Sequence, residues 1–143
     1  MLVSQILRDK GEDVFAVEPS DTVAHAAALL RQHKIGALVV RDAAGKVAGI
    51  LSERDIVWGV AHLGEAALKQ TVADCMTKDV ILARPNETVD QLMARMTDKR
   101  IRHLPVVDDG KLAGIVSIGD LVKHKIGEIE AEAEALKGYI ATG

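Results

Sequence analysis

Two segments of this chain carry a hydroxyl and a carboxylate at one repeated spacing, Ser52-x-x-Asp55 and Ser117-x-x-Asp120. Each follows a short apolar run, Gly49-Ile50-Leu51 or Gly114-Ile115-Val116, and precedes a helical pattern. Each acid therefore belongs to the first turn of a helix that begins where a strand ends. The backbone N–H groups of such a turn, together with the helix dipole, attract phosphate. A carboxylate there repels phosphate but accepts both hydroxyls of a ribose, as acidic residues do in other nucleotide folds. Asp55 and Asp120 are accordingly candidate ribose anchors, and Ser52 and Ser117 are candidate donors to phosphate or ribose. Ile118 and Gly119 complete the second turn, where Gly119 removes a side chain at a point of close approach. The same spacing is close to a capping box, in which the Ser caps the helix and the acid returns the bond, on the order of 1 kcal/mol per cap. Both roles can coexist on the same residues.

The elements that hold these turns are repeated. Glu18 to Val57 aligns with Arg84 to Val122 through one single-residue gap near Ala44. Pro19 matches Pro85, Thr22 matches Thr88, Ile35 matches Ile101 and Asp42 matches Asp108. Even the short leaders correspond, Val3 to Leu7 with Val72 to Met76. Each copy reads as a strand (Val14 to Val17; Val80 to Ala83), a Pro-containing turn and a helix whose N-cap is Thr22 or Thr88, with Ser20 and Asn86 as rivals. Two strands follow, Ala37 to Val40 and Val47 to Leu51, then Leu104 to Val107 and Leu112 to Val116, joined by Asp-Ala-Ala-Gly and Asp-Asp-Gly hairpins. A crossover followed by a hairpin requires a mixed sheet. A unit of this size cannot bury its apolar face alone. The expected fold is therefore α+β: two tandem β-α-β-β-α units packed sheet to sheet about a pseudo-twofold axis, with clefts where they meet. The expected boundaries are 1–62 for the first repeat with its leader, 63–78 for the linker and second leader, 79–125 for the second repeat and 126–143 for a helical extension.

The paired Gly-x-x-Ser-x-x-Asp segments, the Arg102-His-Leu-Pro-Val-Val-Asp108 run and the Pro-x-x-Thr-Val helix starts resemble the CBS-domain pair, named after cystathionine β-synthase and also called the Bateman module. The likeness runs from about Val3 to Lys125, in the stand-alone bacterial arrangement. It implies a regulatory or sensor module that binds AMP or a related adenine nucleotide, with NAD, ADP and ATP as further possibilities, and that works through an associated protein. It also implies that Arg102 and His103 contact phosphate, for which a neutral imidazole still donates one hydrogen bond. These residues belong to a basic cluster, Lys99-Arg100-Ile101-Arg102-His103, whose other reading is a solvated helix end with cations complementing the dipole. The first copy has Gly36-Ala37 at those positions, so its cleft lacks the grip unless Arg54 supplies charge; AMP is expected at the second site around Asp120, and the first is expected to take a different ligand or to stay empty. Adenine is expected against apolar strand residues, Val80, Ile81, Leu104 and Pro105 in the second site, and Val14, Phe15 and Leu38 in the first. All are ordinary core positions as well, and Pro105, lacking an N–H, marks an edge or bulge. Trp58 is expected to pack.

Composition sets the remaining limits. The chain has 143 residues, of which 48% are hydrophobic, but Phe15, Trp58 and Tyr139 are its only aromatics, so the core must be aliphatic. A net charge of −3 disfavours non-specific nucleic-acid binding. The lone Cys75 forms no intramolecular disulfide, and it reads as a small buried hydrophobe. No run approaches the length of a membrane helix or has the form of a signal peptide, so a cytoplasmic protein is expected. No metal-ligand cluster, Walker-type loop or nucleophile–base set is present in the sequence, and an enzyme is not expected. IMP dehydrogenase carries a similar pair, but inserted in a catalytic barrel for which this chain has no room. His25, His33, His62 and His124 form no ligand-like grouping, and surface roles are expected for them. Beyond the second repeat, Val122, Ile126, Ile129, Ala133, Leu136 and Ile140 recur at a/d spacing. Ile129, Ala133, Leu136 and Ile140 are the expected dimer seam of a homodimer.

Overall fold

Thr22 and Thr88 cap the helices they precede: their hydroxyls accept from the amides of His25 at 3.1 Å and Gln91 at 3.2 Å. These side chains replace hydrogen bonds that the first helical turn cannot make for itself. The computed structural model describes residues 1–11 and 14–142. Glu12, Asp13 and Gly143, which fall in the ranges assigned above to the first repeat and the extension, lie outside them. The elements in chain order are α1 (Val3–Lys10), β1 (Ala16–Val17), α2 (Val23–His33), β2 (Ala37–Arg41), β3 (Val47–Ser52), α3 (Glu53–Leu63), a 3-10 segment (Gly64–Lys69), α4 (Val72–Cys75), α5 (Val89–Lys99), β4 (His103–Asp108), β5 (Lys111–Ser117) and α6 (Ile118–Thr142).

The first copy builds a mixed sheet in the order β1-β2-β3, with β1 parallel and β3 antiparallel to β2. The second builds the antiparallel pair β4-β5 in the matching register. The hairpins turn through Gly45 at φ +79° and through Asp109-Gly110 at +50° and +76°, the left-handed region that Gly enters without steric cost. The expected strand over 80–83 is not formed. Only Ala83 bridges to Val106, donating to the Pro105 carbonyl and accepting from Val107, both at 2.9 Å. Extending that parallel ladder toward Ile81 needs an N–H from residue 105, and Pro105 has none. The first copy has Val39 at this position, and there β1 forms, though only over Ala16–Val17 rather than from Val14.

The leaders are exchanged between the copies: each packs in the core of the copy that it does not precede in sequence. Val3 and Ile6 of α1 are buried with Val89, Leu92, Met96, Leu104 and Leu121 in the second core. Val72 of α4 is buried with Val17, Ala26, Leu30, Leu38 and Leu51 in the first. The backbone bonds follow suit: Ser4 donates to Pro85 at 2.9 Å and Ala73 to Pro19 at 3.0 Å, so each leader docks on the Pro turn of the other copy. Neither core includes an aromatic residue, as the composition required. The boundary expected at 125/126 falls inside α6, one continuous helix of 25 residues that packs on α5, β5 and α1.

Candidate functional site

Both Ser-x-x-Asp turns form the reciprocal bonds of a capping box. The Ser52 amide donates to Asp55 Oδ2 at 2.9 Å, and the Asp55 amide donates to Ser52 Oγ at 3.3 Å. In the second copy the Ser117 amide reaches Asp120 Oδ2 at 2.9 Å, and the Asp120 amide reaches Ser117 Oγ at 3.1 Å. A second constraint fixes each turn against its sheet: Glu53 N–H donates to Gly36 O at 3.0 Å, and Ile118 N–H to Arg102 O at 2.8 Å. Two of the first three amides of each helix are thus engaged, which leaves Arg54 and Gly119 to present the N–H of the second helical position. The open helix start expected from the sequence is narrower than the pattern implied. A Cβ on Gly119 would meet only Ser117 Oγ, at 3.6 Å, so packing within the chain does not require glycine there.

A cleft of about 370 Å³ lies between the copies, in the range typical of small-molecule sites. From the first copy it is lined by Gly36, Ile50, Ser52, Glu53, Arg54, Asp55, Trp58 and Thr77, and from the second by Ile101, Arg102, His103 and Ile118. The sequence grouped Arg102 and His103 with Asp120; in space they share this cleft with Asp55. Asp120 does not line it. Gly36 is the reason the arrangement fits: a Cβ there would lie 3.0 Å from the His103 ring and 3.2 Å from Glu53 Oε1. Gly36 therefore leaves the room that the second copy's His103 occupies, and the cleft takes one arginine from each copy, Arg54 and Arg102.

The electrostatics of the cleft are mixed. Arg102 is exposed, and among the described residues no carboxylate lies within ion-pairing distance of its guanidinium. Arg54 donates to the Arg100 carbonyl at 3.2 Å and stands 5.8 Å over the Trp58 ring, tying α3 to the end of α5. Burial holds the His103 imidazole below its usual pKa, with Arg102 and Lys10 adding to the effect against Glu53 and Asp120. His103 is thus neutral at pH 7, with one ring N–H to donate. Asp55 also accepts from the Thr77 hydroxyl at 3.1 Å. Burial pushes the Cys75 thiol up, and Asp55 adds to the shift, so Cys75 is not an activated nucleophile.

Several expected contacts lie elsewhere. Leu38 and Leu104 are buried in the two cores, Pro105 is buried as well, and Ile81 packs on the second core. Phe15 stacks on His33 with ring centroids 3.7 Å apart. Trp58 was expected to pack, yet it is 64% exposed at the cleft's edge, on a helix that has no buried residue. Thr77, Glu53 and Ile50 join the site without having been singled out. The one available signal was that Thr77 follows a leader whose twin begins the chain.

Asp120 instead pairs with Lys10, whose Nζ lies 2.7 Å from Oδ2. Burial acts to raise this carboxyl, but the Lys10 ammonium and the Ser117 N–H outweigh it and hold it below the usual carboxylate range. A carboxyl with a lowered folded-state pKa stabilises the fold above its unfolded value, near 4, and that contribution is lost as pH falls through the folded value. Asp120→Asn is therefore expected to flatten the acid limb of stability between about pH 5 and pH 2 in urea titrations. An unchanged pH slope would contradict the pairing.

Residues 3–62 and 72–127 each match the family model of the CBS domain, and the chain belongs to that family. It is 35% identical to the mitochondrial CBS domain-containing protein CBSX3 of Arabidopsis thaliana, over 99% of this chain and 72% of that protein. The crystal structure of the CBS-domain containing protein ATU1752 from Agrobacterium tumefaciens superposes with a TM-score of 0.84 at 51% identity, covering 87% of this chain and 92% of that one. The CBS domain pair of protein MJ0100, solved in complex with 5'-methylthioadenosine and S-adenosyl-L-methionine, superposes with a TM-score of 0.79 at 30% identity, covering 90% of this chain and 98% of that one.

Proposed function

We propose that the chain is a regulatory module that binds an adenine nucleotide, with AMP as the best fit, in the cleft between its copies. The observation that carries this reading is the convergence of Asp55, on one copy, with Arg102 and His103, on the other, around one cavity. The carboxylate of Asp55 accepts ribose hydroxyls, the Arg102 guanidinium takes the phosphate, and neutral His103 donates one hydrogen bond. The adenosine-containing ligands of MJ0100 support the ligand class. NAD, ADP and ATP share the adenosine part and are the alternative ligands.

Because the site spans both copies, an occupant changes the free energy of their relative placement, and a partner protein reads the shift. The chain performs no chemistry of its own in this scheme and works in the cytoplasm. A ligand present at 100 times its Kd stabilises by about 2.7 kcal/mol, so AMP is expected to raise Tm by several degrees. The absence of a shift with AMP, ADP, ATP, NAD and S-adenosylmethionine would overturn the reading.

A second reading is favoured by α6, whose Ile129, Leu136 and Ile140 are 53%, 59% and 70% exposed, with Ala133 exposed between them. This stripe is the proposed homodimer seam, and in the alternative reading dimerisation without ligand is the whole function. Leu136→Glu is expected to convert dimer to monomer in sedimentation experiments, a cost of a few kcal/mol for burying an unpaired charge. A sedimentation coefficient unchanged by the substitution contradicts the seam.

A further inference from the structure

The two copies do not treat their acidic residues alike. Asp55 is met by a neutral group, the Thr77 hydroxyl, at 3.1 Å. Asp120 is met by an ammonium: Lys10 Nζ donates to Asp120 Oδ2 at 2.7 Å and to the Ile115 carbonyl at 2.8 Å. Both partners come from the leader segments, Thr77 from just after α4 and Lys10 from the end of α1, so each leader delivers one side chain to one acid. A hydroxyl donates and accepts and can rotate to share a carboxylate with an incoming diol. An ammonium only donates, and it neutralises the charge that attracts the diol.

Lys10 is not a loosely held surface lysine. The burial of Val3 and Ile6 fixes α1 in the second core, and the helix ends at Gly11 with φ +93°. The ammonium is therefore presented to Asp120 from the end of a helix docked in the second core, with a main-chain carbonyl as its second acceptor. The pair is partly buried, its side chains being 36% and 26% exposed, so its hydrogen bonds are charge-assisted and only partly screened.

We propose that Lys10 is a specificity-determining residue: it competes for the acid of the second copy, so that a nucleotide binds first and more tightly at Asp55. A ligand that reaches Asp120 has to displace the ammonium from two acceptors. This inference rests on the nucleotide reading of the Asp55 cleft, and it makes the chain a one-site receptor although the motif occurs twice.

Calorimetric titration of the full chain with AMP tests it. The wild type is expected to bind a single equivalent. K10M, which keeps the stem and removes the charge, is expected to gain a second equivalent by tightening the Asp120 site about tenfold or more. K10M/D120A is expected to return to one, and the same count on K10Q guards against a folding defect in K10M. A wild type that already takes up two equivalents, or a K10M chain that stays at one or binds more weakly, overturns the role of Lys10 and leaves the nucleotide reading intact. No binding by either chain overturns both.

Discussion

A chain lacking residues 1–10 is expected to lose the structure of its second copy while the first copy keeps much of its own. Val3 and Ile6 are fully buried in the core that also holds Leu92, Leu104 and Leu121, and Leu7 packs against it. Each such side chain contributes about 1.5–3 kcal/mol by burial. Removing all three therefore withdraws roughly 5 kcal/mol, comparable to the whole stability of a small domain. The truncation also leaves the Glu87 and Pro85 carbonyls without the Val3 and Ser4 amides that donate to them at 2.9 Å. Ile6→Ala alone is expected to cost about 2–5 kcal/mol in urea unfolding, because the cavity is enclosed and cannot collapse fully. Amide exchange locates the damage: protection is expected to fall in β4, β5 and α5 rather than in β2 and β3. Loss confined to the first copy would show that the leader exchange is wrong.

Arg102→Glu is expected to abolish AMP binding at accessible concentrations. A charge-assisted bond to phosphate contributes about 1.5–3 kcal/mol, tenfold to about a hundredfold in affinity, and reversing the charge adds repulsion from a carboxylate beside Glu53 and Asp55. Fold stability is expected to change little, since Arg102 is exposed and among the described residues its guanidinium has no ion-pair partner. A titration that shows undiminished AMP affinity in a folded Arg102→Glu chain removes Arg102 from the site.

What could be read from the sequence was local. The Thr22 and Thr88 caps, both hairpins and both Ser-x-x-Asp turns depend on residues within a few positions of one another, and they formed where expected. The exchange of leaders was not legible, because the similarity of Val3–Leu7 to Val72–Met76 says that two segments are alike and not which core each enters. Grouping Arg102 and His103 with Asp120 followed chain proximity, and β4 does pair with β5 so that His103 lies opposite Ser117. The strand's start nonetheless faces the other copy, where Gly36 leaves space for the imidazole. The strand expected over 80–83 failed for a reason also visible in the sequence, the missing N–H of Pro105. Trp58 in an aromatic-poor chain suggests a core, but α3 packs on the first core through Ile56 and leaves Trp58 on its exposed face.

Trp58 supplies the most direct test of the central claim. It is the chain's single tryptophan and it borders the Asp55–Arg102 cleft, so its emission reports on that cleft. On titration with AMP, a saturable change in Trp58 fluorescence is expected that is lost in Asp55→Ala. Emission that stays flat to millimolar AMP, or a change that persists undiminished in Asp55→Ala, would contradict it.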